Sequence, residues 1–182
     1  MTARKTKKAA PRKTKKRATA SAQAPATSEA TTPPKRVLVL KVLPPNGRST
    51  NDFEWPKSGP VEAPDWAATR SCGQGLHGWL WGEGSVTNNL PDCLTSLEGE
   101  ILNPGTHWLV VAVDPSPENM VAFAGKVKFG KGEVVHYGDR KSATEFLLAN
   151  GGSGKAVIGA IITAGYSGTA TAGSCGTATA GD

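Results

Sequence analysis

Residues 164–182 read AGYSGTAT, AGSCGTAT, AGD, an eight-residue unit written twice and begun a third time. The frame Ala-Gly-x-x-Gly-Thr-Ala-Thr limits what this end of the chain can become. Thr169 and Thr171 flank Ala170, and Thr177 and Thr179 flank Ala178. A period of two predicts short strands, with threonine on one face and alanine on the other. Gly165 and Gly168, like Gly173 and Gly176, bracket corners, because glycine takes left-handed or tightly bent backbone without penalty. An eight-residue coil cannot close around a side chain. Two units, sixteen residues, can form one coil of a thin β-solenoid. Regular spacing argues for that coil over an unordered Gly/Ala/Thr tail. Thr169, Thr171, Thr177 and Thr179 are then its candidate repeat face. Upstream, Ala156–Thr163 (AVIGAIIT) reads as a degenerate copy of the unit. Arrays need an atypical first unit where they meet another body. Val157, Ile158, Ile161 and Ile162 are therefore expected to pack on the preceding domain.

The run AGYSGTATAGSCGTATAG resembles the octapeptide-based repeats of bacterial ice-nucleation proteins, which pair an AGYGSTxT unit with a sister unit. It also resembles GTATAG arrays at the ends of uncharacterised bacterial and phage proteins. FEWPKSGPVEAPDW, CGQGLHGWLWGEG and KVKFGKGEVVHYGDR resemble the leading domain of those proteins. The resemblance implies a folded domain followed by repeats over residues 37–182, and it implies no activity and no catalytic residues. Ice activity does not carry over, since an ordered-water surface needs many aligned threonine rungs and this chain has two.

At 182 residues there is room for one domain plus tails. No apolar run approaches the length of a transmembrane helix, so no membrane partner is expected. The basic N-terminus lacks the apolar segment of a secretory signal, and a cytoplasmic location is the default. Three cysteines, Cys72, Cys93 and Cys175, are an odd, low count that argues against a disulfide framework.

Charge is uneven. Residues 1–36 hold eleven Lys/Arg against the single acid Glu29, and the rest of the chain is mildly acidic. The first 35 residues contain no aromatic and almost nothing aliphatic larger than alanine, so they cannot offset the entropy of ordering. They form a disordered basic arm. Arg4, Lys5, Lys7, Lys8, Arg12, Lys13, Lys15, Lys16 and Arg17 resemble a histone-like tail and are the candidate nucleic-acid contacts. Such contacts are to phosphate, salt-dependent and indifferent to sequence, and with no aromatic interleaved there is no base stacking. The other reading of the arm is a solubilising tether. Deleting residues 1–34 should abolish duplex binding in a gel-shift assay and remove its salt dependence. Duplex binding that survives the deletion would assign it to the folded part.

Between arm and repeat the pattern predicts mixed structure. Arg36–Val42 reads as a strand ended by Pro44-Pro45, with a turn at Asn46-Gly47. Residues 53–66 read as an irregular Pro/Gly-rich loop pinned by Trp55 and Trp66, not a strand ladder. His107–Asp114 is a buried strand, and another begins near Glu118. Lys126–Phe129 and Glu133–Tyr137 read as a β-hairpin around Gly130-Lys131-Gly132. Asn88–Cys93 reads as loop, and Leu94–Leu102 as a short helix or strand. Asp139–Asn150 is a helix capped by Asp139 and ended by Gly151-Gly152, with Ala143, Phe146 and Leu147 buried.

Reactive residue types gather in Arg70–Gly84, RSCGQGLHGWLWGEG. Cys72 and His77 are the candidate catalytic pair, but no third group or oxyanion hole is marked. Cys72, His77, Cys93 and His107 could hold zinc, yet no paired ligand spacing occurs. The leading reading of His77 is a packed histidine that donates to backbone. No metal or cofactor is expected.

Together these patterns predict an α+β protein. Residues 1–35 form the basic arm, 36–152 a mostly antiparallel sheet with one helix, and 153–182 a β-solenoid-like stub. The expected function is non-enzymatic: the domain caps a repeat whose last strand offers unpaired backbone groups to another copy. Nucleic-acid binding through the arm is the second expectation. An enzyme with a site near Cys72, His77, Glu83 and Arg140 is the third, and it requires those residues to share one cleft.

Overall fold

The computed structural model describes residues 35–84, 103–123, 125–166 and 169–181. The nine basic arm residues, Cys93 and the stretches 88–93 and 94–102 lie outside them. Residues Pro33–Asp182 make one compact unit.

The sheet is built on β1 (Val37–Leu43) and β4 (His107–Val113), the two most apolar runs of the chain. They pair antiparallel along their whole length, from Val37↔Val113 to Leu43↔His107. The other strands are β2 (Gly59–Glu62), β3 (Leu76–Leu80), β5 (Met120–Phe123), β6 (Lys126–Phe129) and β7 (Lys131–Gly138). The order is β2-β7-β4-β1-β3-β6-β5, with every neighbouring pair antiparallel. The fold is a mostly antiparallel sheet with a single α-helix among the described residues.

Alternation along β1 and β4 sends side chains into two cores. Val39, Leu43, Leu109, Val111 and Val113 join Trp55, Val61, Phe129 and Val134 on one side. Leu40, Val42, Trp108 and Val110 join Trp79 on the other. Helix α1 (Arg140–Leu147) covers this second face through Ala143 and Leu147. Its start is fixed by a reciprocal cap: the Asp139 carboxylate accepts from the Ser142 N–H at 2.8 Å, and Ser142 Oγ accepts from the Asp139 N–H at 3.2 Å. Hydrogen bonds to the carboxylate from the Ser142 backbone, and then from its side chain, hold the Asp139 carboxyl below its ordinary range. Beyond Leu147 the helix widens into a π-type turn over Leu148–Gly152, which Gly151 ends at φ +111°.

Two strand expectations fail. Gly59–Glu62, read as loop, is an edge strand on β7. Pro60 lacks the donor a central strand needs, but an edge strand tolerates that. Residues 126–137 do not form a hairpin either. β6 pairs with β3 and β5, whereas β7 pairs with β2 and β4, in the other half of the sheet. Gly130 is the crossing point. Its N–H donates to Asn119 O at 2.9 Å, and its carbonyl accepts from Ala63 N at 2.7 Å. A Cβ there would lie 2.8 Å from the Trp66 ring. Gly130 marks the bend, Gly132 lies within β7 where a Cβ would meet Val111 and Ala112, and the longer-range partners decide what pairs.

The second core continues past the helix. Val157, Ile158 and Ala160 are fully buried against Trp108 and Leu147, and Ile162 is partly buried on the same cluster. Ile161, expected to pack there too, is half exposed. It opens β8 (Ile161–Tyr166), where alternation turns it outward with Thr163 while Ala164 is buried. β8 pairs in parallel with β9 (Thr177–Gly181) from Ile161↔Thr177 to Ala164↔Ala180, an offset of sixteen residues. Gly173 N donates to Val157 O at 2.9 Å, and Thr177 N to Ala160 O at 2.7 Å. Neither Gly173 nor Gly176 has positive φ; Cys175 does, at +56°. Proximity is what these glycines supply. A Cβ on Gly173 would strike the Ala156 carbonyl oxygen and lie 2.7 Å from the Val157 carbonyl carbon.

Candidate functional site

β1 and β3 pair only through Val39↔Leu80 and Leu40↔Trp79. Gly78 permits that approach, since a Cβ there would sit 2.5 Å from Leu40 O. Beyond this contact a cavity of about 240 Å³ is lined by Lys41 from β1 and by Leu76 and His77 from β3. Two loops complete it, one through Phe53 and Trp55 and one through residues 72–75. Phe53 and Trp55 meet edge to face at 5.6 Å. Trp55 is anchored by donating Nε1–H to Ser49 Oγ at 3.1 Å. Lys41 Nζ stands 5.8 Å from the Trp55 ring. Both loops hold strained backbone: Asn51 at φ +61°, Asp52 at +55° and Gln74 at +52°.

Beside the cavity lie two buried lysines on β6. Lys128 donates from Nζ to Thr69 Oγ1 at 3.0 Å, Ser71 O at 3.1 Å and Gly73 O at 3.3 Å. It thereby straps the 69–73 loop to the sheet. Lys126 Nζ lies 4.1 Å from the centre of the Trp79 ring, a close cation–π contact. Burial pushes the Lys126 ammonium down to about 7, with Lys41 adding repulsion. Burial also lowers Lys128, against the attraction of Asp65. Burial first, then Lys41, Lys128 and Lys126, lower His77 to about 4, while a hydrogen bond to the Gly75 backbone opposes the shift. His77 Nε2 is buried without a hydrogen-bond partner among the described residues.

Cys72 and His77 do line one cavity, but Cys72 is disulfide-bonded. The cysteine count therefore misled, and a disulfide sulfur offers no thiolate for catalysis or zinc. Glu83 is elsewhere, with its carboxylate 2.7 Å from Lys155 Nζ. Arg140 opens α1, where its Cδ packs beside Gly159, and His107 lies against Tyr137 at 5.3 Å. The four residues of the expected enzyme site do not share a cleft. Among the described residues no three His, Cys, Asp or Glu side chains gather as a metal site. No helix among them is long and apolar enough to cross a membrane. Of the repeat-face residues, Thr169, Thr171, Thr177 and Thr179 are all exposed.

Sequence reasoning missed Lys41, Lys126 and Lys128. A signal for Lys41 was present: it shares the parity of Val39 and Leu43 within β1, so alternation already aimed it inward. For the β6 lysines none was, because KVKF alternates as a half-exposed strand would.

A folded domain that buries Val157, Ile158 and Ala160, followed by an octapeptide repeat, marks the chain as a repeat protein. Its curated homologues are ice nucleation proteins. The chain is 32% identical over 113 residues to ice nucleation protein InaU of Pantoea ananas, covering 62% of this chain and 10% of that protein. It is 34% identical over 114 residues to an ice nucleation protein of Pseudomonas syringae, covering 63% and 9%. With the ice nucleation protein of Xanthomonas campestris pv. translucens the figures are 28% over 116 residues, 64% and 7%. The chain thus spans about a tenth of the length of the curated relatives it matches. Matches of this length reach well past the octapeptide units into the sheet domain. No family model and no solved structure matches the chain.

Proposed function

We propose that this is a non-enzymatic structural protein whose α+β domain caps a β-solenoid coil, and that the coil joins copies of the chain. The observation that carries the reading is the sixteen-residue offset of the parallel β8–β9 ladder, two octapeptide units per coil. Exposed threonines at 169, 171, 177 and 179 and the likeness to ice nucleation proteins support it. β9 pairs only with β8 among the described residues, so its outer edge is open to another strand. In such a strand alternate residues face alternate neighbours. Thr177 donates to Ala160, toward β8, so the Ala178 N–H faces outward.

Ala178→Pro removes that outward donor and leaves the β8 ladder in place. In light scattering over a concentration series, the wild-type chain is expected to associate and Ala178→Pro to stay monomeric. A wild-type chain that is monomeric at high concentration, or a variant that associates equally, overturns the reading. The excess of Lys/Arg in residues 1–36 supports a second role, phosphate binding by the arm.

A further inference from the structure

We propose that Cys72 is a site of thiol exchange, where a low-molecular-weight thiol opens the disulfide and stays on the chain as a mixed disulfide. This site is separate from the coil and does not depend on it.

Access sets the first condition. Cys72 is disulfide-bonded, yet it lies in an exposed run, residues 68–74. Exposed or strained disulfides are the labile ones, whereas structural ones resist the glutathione pool. The backbone past Cys72 adds strain. Gly73, Gln74 and Gly75 stand in succession at φ +81°, +52° and +140°, and the Gln74 side chain disfavours that region.

Charge sets the second. The attacking species is a thiolate. Arg70 is exposed two residues before Cys72, and the Lys128 ammonium lies against the loop, bonded to Ser71 O and Gly73 O. Both draw an anion toward this sulfur.

The third is what stays in place once the bond opens. Lys128 Nζ holds Thr69 Oγ1, Ser71 O and Gly73 O, gripping the loop on both sides of Cys72. The loop therefore keeps its seat on β6 without the disulfide. Cys72 also lines the cavity with His77, so about 240 Å³ of space beside it can receive a residue-sized adduct. The step balances within thiol chemistry. The incoming thiolate attacks Cys72 Sγ, the S–S bond breaks, and the other cysteine leaves as a thiolate, which takes up the proton that the incoming thiol lost. The product is a reversible cap on Cys72.

The test holds the full chain for hours in millimolar glutathione, reduced and oxidised forms mixed, since uncatalysed exchange takes minutes to hours. Acid then stops the exchange, and mass spectrometry maps the cysteine peptides. Glutathione on the Cys72 peptide is expected, with β3 and β6 amides keeping their protection in hydrogen exchange. The His77 ring resonance should move as the adduct forms. Cys72→Ser should abolish that response to glutathione. A Cys72 disulfide that stays intact under these conditions overturns the proposal. So does glutathione found on another cysteine and not on Cys72, or loss of β3 and β6 protection as the bond opens, which would make the disulfide a structural one. Should Cys72→Ser fail to fold, the wild-type sample decides: an adduct that leaves the His77 resonance stationary refutes the site beside the cavity.

Discussion

Gly173→Ala is expected to destabilise the chain by about 3 kcal/mol or more, the range of severe backbone clashes. Its Cβ would meet backbone, the Ala156 carbonyl oxygen and the Val157 carbonyl carbon. Neither can yield alone, because Val157 and Ile158 are fully buried in the second core. Room for the methyl group needs either the Gly173 N–H to Val157 O hydrogen bond broken or the buried pair withdrawn from beneath α1. Hydrogen exchange should show β8 and β9 amides losing protection, and thermal melting should fall by several degrees for a chain of this size. Gly154→Ala is the control. That residue has φ +77° with nothing near its missing Cβ, so only the left-handed penalty of about 1–2 kcal/mol applies. Equal effects at the two positions would show that close approach at Gly173 is not what holds the segment.

Stability should climb with pH across most of the accessible range. His77 is lowered from 6.5 to about 4, and Lys126 from 10.5 to about 7. Within each window the unfolded chain binds a proton that the fold does not, so unfolding is favoured as pH falls. His77 makes stability drop from pH 6.5 toward 4, and Lys126 makes it rise from pH 7 toward 10.5. At about 1.4 kcal/mol per pH unit, His77 alone is worth about 3 kcal/mol across its window. For Lys126 the face of Trp79 favours the ammonium and offsets part of the burial cost, so its rise is of similar size. Urea unfolding at stepped pH reads both. His77→Phe should flatten the acid limb, and Lys126→Met should reduce the alkaline one to the part that the lowered Lys128 contributes. A wild-type curve that is level from pH 7 to 10 would mean that Lys126 keeps its proton in the fold.

What the sequence disclosed was local, and what it hid was long-range. β1, β4 and the Asp139 cap follow from apolar runs and a single capping residue. Burial of Val157 and Ile158 followed from a repeat that had lost its two frame glycines. The supposed hairpin failed because glycine marks a bend without naming a partner, and β6 and β7 find theirs in opposite halves of the sheet. The cavity was half visible. His77 stood out by residue type, but its three lysine neighbours come from β1 and β6, strands far apart in the chain. An ammonium stacked on Trp79 or tied to three loop oxygens has no local signature.

The sixteen-residue step between Ile161 and Thr177 also bears on how such a chain can vary. Tandem codons are prone to slippage during copying, which adds or removes whole units. On the coil proposed above, gaining two octads would shift every later residue by one lap and return it to the same side, beneath the same neighbour. Gaining one would carry the chain half a lap and swap its flanks. On that proposed coil, lineages should therefore differ by even numbers of octads.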